Sequence, residues 1–127
     1  MTTQEGGMGV TDMELRETGR TLDWARETLD LSMEELGQVI GTTRRTVQRW
    51  RARESLPSPE HREKLDEMGE LRYWLETVFE KDVDAAHSWL TTRLPSLRGQ
   101  TPISHIRKGR IKEIVGILAA FESGAFI

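Results

Sequence analysis

Residues 32–50 of this chain read SMEELGQVIGTTRRTVQRW, and this stretch decides the fold of the N-terminal half. Ser32, with a glutamate three positions later, predicts a capping box that opens a short helix, and Thr43 is placed to cap a second helix. Two helices that cross steeply through a short turn need a small residue where they touch and a residue that tolerates positive φ. Gly37 and Gly41 stand at those positions. The stretch therefore predicts a helix-turn-helix whose shared core contains Leu36, Ile40, Val47 and Trp50.

This spacing of glycines and apolar residues resembles the helix-turn-helix of the Xre-type repressor class. In that geometry the second helix of the pair is the recognition helix, and its N-terminal residues lie in the major groove of DNA. One small helix-turn-helix buries little surface, and specific binding normally uses two half-sites a helical turn apart. The resemblance therefore implies a DNA-binding protein that acts as a dimer.

The outward face of the recognition helix is basic. Residues 42–53 contain five arginines and no acid. Arginine can bind guanine O6 and N7, glutamine can bind adenine in the same way, and hydroxyls and free amides at a helix start suit phosphate. We expect Arg44, Arg45 and Gln48 to contact base edges, and Arg49, Arg51 and Arg53 to contact mostly the DNA backbone. The predicted DNA-binding residues are Thr42, Thr43, Arg44, Arg45, Thr46, Gln48, Arg49, Arg51 and Arg53.

The remaining sequence predicts an all-α protein, because no stretch alternates apolar and polar residues for long. Residues 1–10 contain three glycines and are expected to form a flexible tail. A first helix is predicted at 12–29, which Gly19 could split. Further helices are predicted at 82–90, 102–109 and 110–121, with a loop containing Pro95 and Gly99. The predicted domains are 11–57 for the helix-turn-helix, 58–81 for a connecting helix and 82–127 for a small helical C-terminal domain.

The connecting helix begins at Ser58 and Pro59, which are a suitable N-cap and first-turn pair. Its apolar residues recur every three to four positions, as in a helix with one buried face. We interpret this stripe as core. A dimerisation seam is the alternative, since a long helix between two small modules has little of its own chain to pack against. The stripe consists of Leu65, Met68, Leu71, Leu75, Val78 and Phe79.

A second basic segment lies in the C-terminal domain, since residues 93–112 contain six Lys or Arg and no acid. Residues 89–109 read WLTTRLPSLRGQTPISHIRKG, and the chain ends ESGAFI at 122–127. The Trp-Leu pair, the Leu-x-Gly-x-Thr-Pro-Ile loop and the terminal Gly-x-Phe-hydrophobic resemble the toxin-binding domain of Xre/MbcA/ParS-like antitoxins. Arg93 and Leu94 depart from the Pro-Asn often found there, which leaves the details of that loop open. Trp89 and Leu90 are expected in the core.

This resemblance implies an antitoxin of a type II toxin-antitoxin system. Its partner would be a RES-domain toxin that consumes NAD or transfers ADP-ribose, and the antitoxin's C-terminal end would occlude the toxin's active site. The antitoxin would also repress its own operon. An apolar end such as Ala-Phe-Ile is otherwise expected to pack on its own domain or to enter a partner. The implied toxin-binding residues are Arg107, Lys108, Arg110, Gly124, Ala125, Phe126 and Ile127.

Other functions are disfavoured by what the sequence lacks. The chain of 127 residues has no Cys, no basic and apolar leader at its start and no apolar run long enough to span a membrane, so a cytoplasmic location is expected. It has no nucleophile elbow or phosphate-binding glycine loop, so we expect no enzyme and no cofactor. Its histidines, His61, His87 and His105, lie on separate predicted elements without metal-ligand spacing, so no metal site is predicted.

Net charge alone would argue weakly against DNA, because the whole chain carries −3. The two basic segments, however, carry +5 over 42–53 and +6 over 93–112. One lies on the predicted recognition helix and the other in the domain that resembles a toxin-binding domain, so the resemblance implies two partners, operator DNA and a toxin. The competing hypothesis is a stand-alone Xre-type transcriptional repressor whose C-terminal half only dimerises.

Overall fold

In the described part of the chain, residues 3–124, the computed structural model consists of helices, with side chains described from residue 12 onward. One antiparallel bridge, between Leu94 and Gln100, is the sole β-type pairing within that range. The all-α prediction is therefore confirmed. The elements are α1 (Thr3–Thr28), α2 (Met33–Ile40), α3 (Arg44–Arg51), α4 (Pro59–Val78), α5 (Val83–Leu90), a 3-10 turn (Pro95–Leu97), α6 (Pro102–Arg107) and α7 (Ile111–Glu122).

Helix α1 is longer than the sequence predicts. It begins at Thr3, so a flexible tail over 1–10 is wrong for residues 3–10, and Met1 and Thr2 lie outside the described residues. The sequence has no proline before residue 57, and extending a helix adds one backbone hydrogen bond for each residue fixed. The helix also continues through Gly19, whose cost in a helix is only about 1 kcal/mol.

Helices α2 to α6 start where polar caps stand in the sequence. Ser32 forms the predicted capping box, in which the Ser32 amide donates to Glu35 Oε1 at 2.9 Å and the Glu35 amide donates to Ser32 Oγ at 3.0 Å. Thr43, Ser58 and Asp82 accept hydrogen bonds from the first turns of α3, α4 and α5 in the same way. These caps satisfy amides that a helix start leaves without intrahelical partners.

Helix α4 is the centre of the core and packs against α1, α2, α5 and α7. Leu65, Met68, Leu71 and Leu75 are at most 5% exposed. The core interpretation of this stripe is confirmed for those four positions. The expectation that α4 has little of its own chain to pack against is wrong, because α7 lies along it.

The helix-turn-helix and the C-terminal helices share one core rather than two. Buried residues from α1 to α7 form a single apolar cluster. An ion pair also joins the two halves, since Arg107 Nε lies 3.3 Å from Glu35 Oε2. Lys64 of α4 donates from Nζ to the carbonyl of Gly109 at 2.7 Å and so ties α4 to the C-terminal helices. The predicted domains at 11–57 and 82–127 are therefore in direct contact.

Helix α7 supplies Ile111, Ile114 and Leu118 to this core. Phe121, three residues after Leu118, is 54% exposed and lies in the last turn of the helix. Among the helices of residues 3–124, none is both long enough and apolar enough to cross a bilayer.

Candidate DNA-binding and toxin-binding sites

The turn between α2 and α3 is built around two glycines. Gly41 has φ +94°, and the amides of Gly41 and Thr42 both donate to the carbonyl of Gly37, at 2.9 and 2.7 Å. A Cβ at Gly37 would lie 2.9 Å from the carbonyl carbon of Thr43, closer than real Cβ contacts occur. The backbone at the start of α3 therefore rests directly on Gly37, as the spacing predicts.

This packing fixes which side of α3 faces solvent. Val47 and Trp50 are almost completely buried, and the Trp50 ring lies 5.4 Å from that of His61 between ring centres. The opposite side of the helix is exposed. It carries the predicted DNA-reading side chains Arg44, Arg45 and Gln48, together with Arg49 and Arg51.

The threonines at the start of α3 differ from the expectation of free phosphate-binding groups. The Thr42 amide donates a hydrogen bond to the Gly37 carbonyl, and the Thr43 hydroxyl accepts one from the Thr46 amide at 3.2 Å. The Thr43 hydroxyl also donates to the Thr46 hydroxyl at 3.2 Å. First-turn amides of a helix have no intrahelical partner, so those of Arg44 and Arg45 are the ones oriented for a phosphate.

The three arginines that are predicted to contact the DNA backbone form ion pairs with acidic residues of the same chain. Arg51 Nη2 lies 2.8 Å from Asp23 Oδ1, Arg53 Nη1 lies 3.7 Å from Asp12 Oδ1, and Arg49 Nε lies 4.0 Å from Glu54 Oε1. Sequence reasoning missed the two pairs with α1, because residues 28 or more positions apart give no local signal. Within the described residues, Arg44 and Arg45 form no ion pair.

The predicted toxin-binding residues occupy different positions. Arg107 pairs with Glu35, whereas Lys108 and Arg110 are exposed. Gly124 follows α7 with φ +82° and is half-buried. Ala125, Phe126 and Ile127 lie outside the described residues. The structure therefore brings the basic positions to the turn between α6 and α7.

The loop before α6 is closed by backbone hydrogen bonds. The Leu94 amide donates to the carbonyl of Gln100 at 3.0 Å, and the Gly99 amide donates to that of Leu94 at 2.9 Å. Leu97 is buried and Arg93 is exposed. The departure at Arg93 therefore changes a solvent-facing side chain.

The C-terminal domain contains a half-buried tryptophan next to a buried leucine, and a buried histidine. Trp89 is half-buried with its ring 5.8 Å from that of Phe79, and Leu90 is fully buried, as expected of core positions. His105 is 7% exposed and its Nδ1 lies 2.7 Å from Glu113 Oε1, which links α6 to α7. Among the side chains described, those of residues 12–124, no cluster of three or more His, Asp or Glu has metal-site geometry.

Comparisons with known proteins match two successive parts of the chain to two families. Residues 22–67 match the helix-turn-helix family, and residues 74–124 match the antitoxin Xre/MbcA/ParS C-terminal toxin-binding domain. The "Mycobacterial cidal antitoxin MbcA" of Mycobacterium tuberculosis (strain H37Rv) is 26% identical over 107 residues, which cover 84% of this chain and 93% of that protein. The MbcA of Mycobacterium bovis matches to the same extent. A chain of the crystal structure of the M. tuberculosis MbcT-MbcA toxin-antitoxin complex superposes with a TM-score of 0.59 and 26% identity, over 86% of this chain and 96% of that one.

Proposed function

We propose, from the membership of this chain in the Xre/MbcA/ParS antitoxin family, that it neutralises a toxin with its C-terminal domain and binds operator DNA with α3. The observation that carries the proposal is the joining of an exposed arginine-rich recognition helix to a toxin-binding domain in one chain. The family is one of antitoxins and not of enzymes.

The toxin side rests on the C-terminal domain. MbcA, which resembles this chain over most of its length, is an antitoxin and forms a complex with the toxin MbcT. We infer a RES-domain toxin that consumes NAD or transfers ADP-ribose as the partner of this chain. Residues 124–127 would enter its active site, and the exposed Lys108 and Arg110 would contact an acidic surface around it. Arg107 would have to exchange Glu35 for a toxin carboxylate.

The DNA side rests on α3. Arg44, Arg45 and Gln48 are exposed beside each other at the start of the helix, where a recognition helix contacts base edges. We infer repression of the chain's own operon, with two copies bound to neighbouring half-sites. Light scattering of the DNA complex should therefore give two antitoxin chains per operator.

A deletion tests the toxin side. The variant that lacks residues 123–127 keeps the whole of α7, so its core and its DNA-binding face should be intact. Cells that express the proposed RES-domain toxin should lose protection by this variant, while binding of the variant to the DNA upstream of its own gene stays at the wild-type level. Unchanged protection would contradict occlusion by the C-terminal end. No protection even by the wild-type chain would favour the stand-alone repressor with a C-terminal dimerisation domain.

A triple variant, Arg44→Ala, Arg45→Ala and Gln48→Ala, tests the DNA side. Each bidentate contact to a base contributes about 1–3 kcal/mol of discrimination, so the variant should bind the operator no better than a scrambled duplex. Its protection against the toxin should be unchanged, which serves as the control for folding. A footprint identical to that of the wild type would show that α3 is not the recognition helix.

A further inference from the structure

A polar cleft of about 230 Å³ lies between α1 and the end of α3, beside the predicted DNA-reading face. Four arginines line it, two from α1 and two from the end of α3 and the turn that follows. Leu15 and Gly19 also line the cleft, and a Cβ at Gly19 would meet no atom within 4 Å. The complete lining is Leu15, Arg16, Gly19, Arg20, Asp23, Arg51 and Arg53.

The cleft carries more positive than negative charge, since four guanidinium groups face a single lining carboxylate, Asp23. Two further acids on α1, Asp12 and Glu17, do not line the cleft but form ion pairs with its arginines. Arg16 lies 2.8 Å from Asp12, and Arg20 lies 3.7 Å from Glu17. All these side chains are at least 39% exposed. Exposed ion pairs of this kind contribute little to stability, so an incoming anion can compete with them.

Arginine also need not release its acid to bind an anion. A guanidinium has five N–H donors in a fixed fork, and the Arg51 contact with Asp23 uses one of its terminal nitrogens. The acids therefore hold the arginines around the cleft while other donors remain available. This arrangement suits an oxyanion with several acceptor oxygens, such as a phosphate.

The position of the cleft indicates the source of such a phosphate. Arg44 and Arg51 are the two ends of α3, and seven residues of helix span about 10 Å. The major groove is about 12 Å wide, so a helix whose start contacts base edges brings its other end close to the phosphates that border the groove. The C-terminal basic segment lies elsewhere, against α2 and α4.

We propose that this cleft binds a phosphate of the DNA backbone, with Arg16 and Arg20 of α1 extending the interface beyond the recognition helix. The inference rests on the proposed DNA binding and adds two residues to it. Contacts to backbone phosphate carry no sequence information, so Arg16 and Arg20 contribute affinity and fix the register of α3 on the duplex.

The test is the salt dependence of DNA binding by the variant Arg16→Ala, Arg20→Ala, measured on the duplex upstream of the chain's own gene and on a scrambled duplex of equal length. Each lost phosphate contact lowers the slope of log K against log salt by about 0.9, so the slope should fall by about one to two units. Affinity should weaken by the same factor on both duplexes. The charge-preserving variant Arg16→Lys, Arg20→Lys should keep most of the wild-type slope.

Arg26→Ala is the matched control, because Arg26 is exposed on the same helix and does not line the cleft. Its salt slope should equal that of the wild type. A wild-type slope in the double alanine variant overturns the proposal, and so does lost toxin neutralisation with unchanged DNA binding, which assigns the cleft to a protein partner. If the wild-type protein binds neither duplex, the proposed DNA function fails together with this inference.

Discussion

Substitution of Gly37 by alanine should destabilise the protein although alanine is the better helix former. The new Cβ would lie 2.9 Å from the Thr43 carbonyl carbon, 3.1 Å from the Arg44 nitrogen and 3.1 Å from the Thr42 carbonyl oxygen. These are backbone atoms, so no rotamer change relieves the contact and the start of α3 must move.

The magnitude follows from two opposed contributions. Forcing extra volume into a packed site costs about 1–3 kcal/mol, and rigid backbone neighbours place this site near the upper end of that range. Replacing glycine by alanine inside a helix gains about 1 kcal/mol. The net loss in the free energy of unfolding should be about 1–2 kcal/mol, which lowers Tm by roughly 4–8 °C for a chain of this size.

Gly69→Ala is the control, because Gly69 lies inside α4 and its Cβ would meet no atom within 4 Å. Only the gain in helix propensity remains there, so the free energy of unfolding should rise by about 0.5–1 kcal/mol. The variant should therefore unfold at a higher urea concentration than the wild type. The two substitutions should therefore have opposite signs in the same urea titration. Stabilisation by both would refute the close contact between Gly37 and the start of α3.

Two further predictions concern the core and a cap. Leu71→Ala truncates a fully buried side chain of α4 and should lower the free energy of unfolding by about 2–5 kcal/mol. Helix content and DNA binding should be lost in one urea transition, and two separate transitions would contradict the shared core. Ser32→Ala removes the capping box of α2 and should cost about 1 kcal/mol by thermal unfolding, whereas Ser96→Ala, at an exposed position of the 3-10 turn, should stay within about 0.5 kcal/mol.

Much of the fold follows from local signals in the sequence. Ser32, Thr43 and Ser58 begin their helices where their side chains can accept hydrogen bonds from first-turn amides, and these contacts span only three residues. Gly37 and Gly41 similarly specify the helix-turn-helix, because each satisfies a steric condition of one turn. The exposed face of α3 then follows from the burial of Val47 and Trp50.

Features that depend on distant residues could not be predicted in this way. The sequence predicts too late a start for α1, because three early glycines lower helix propensity without stopping a helix. Packing of α7 along α4, and the ion pairs of Arg51 and Arg53 with α1, join residues 28 or more positions apart. Periodicity shows that a helix face is apolar, and composition shows that a segment is basic. Neither shows which part of the chain lies against that face or segment.

The single core has a consequence for the lifetime of the protein in the cell. Proteases act mainly on chains that open transiently, and the rate of cleavage follows the free energy of that opening. Because α4 belongs to the packing of both halves, opening either half removes support from the other. Under the proposed function, one cleavage event would therefore end operator binding and toxin neutralisation together. Binding of either DNA or toxin would in turn protect the whole chain from degradation.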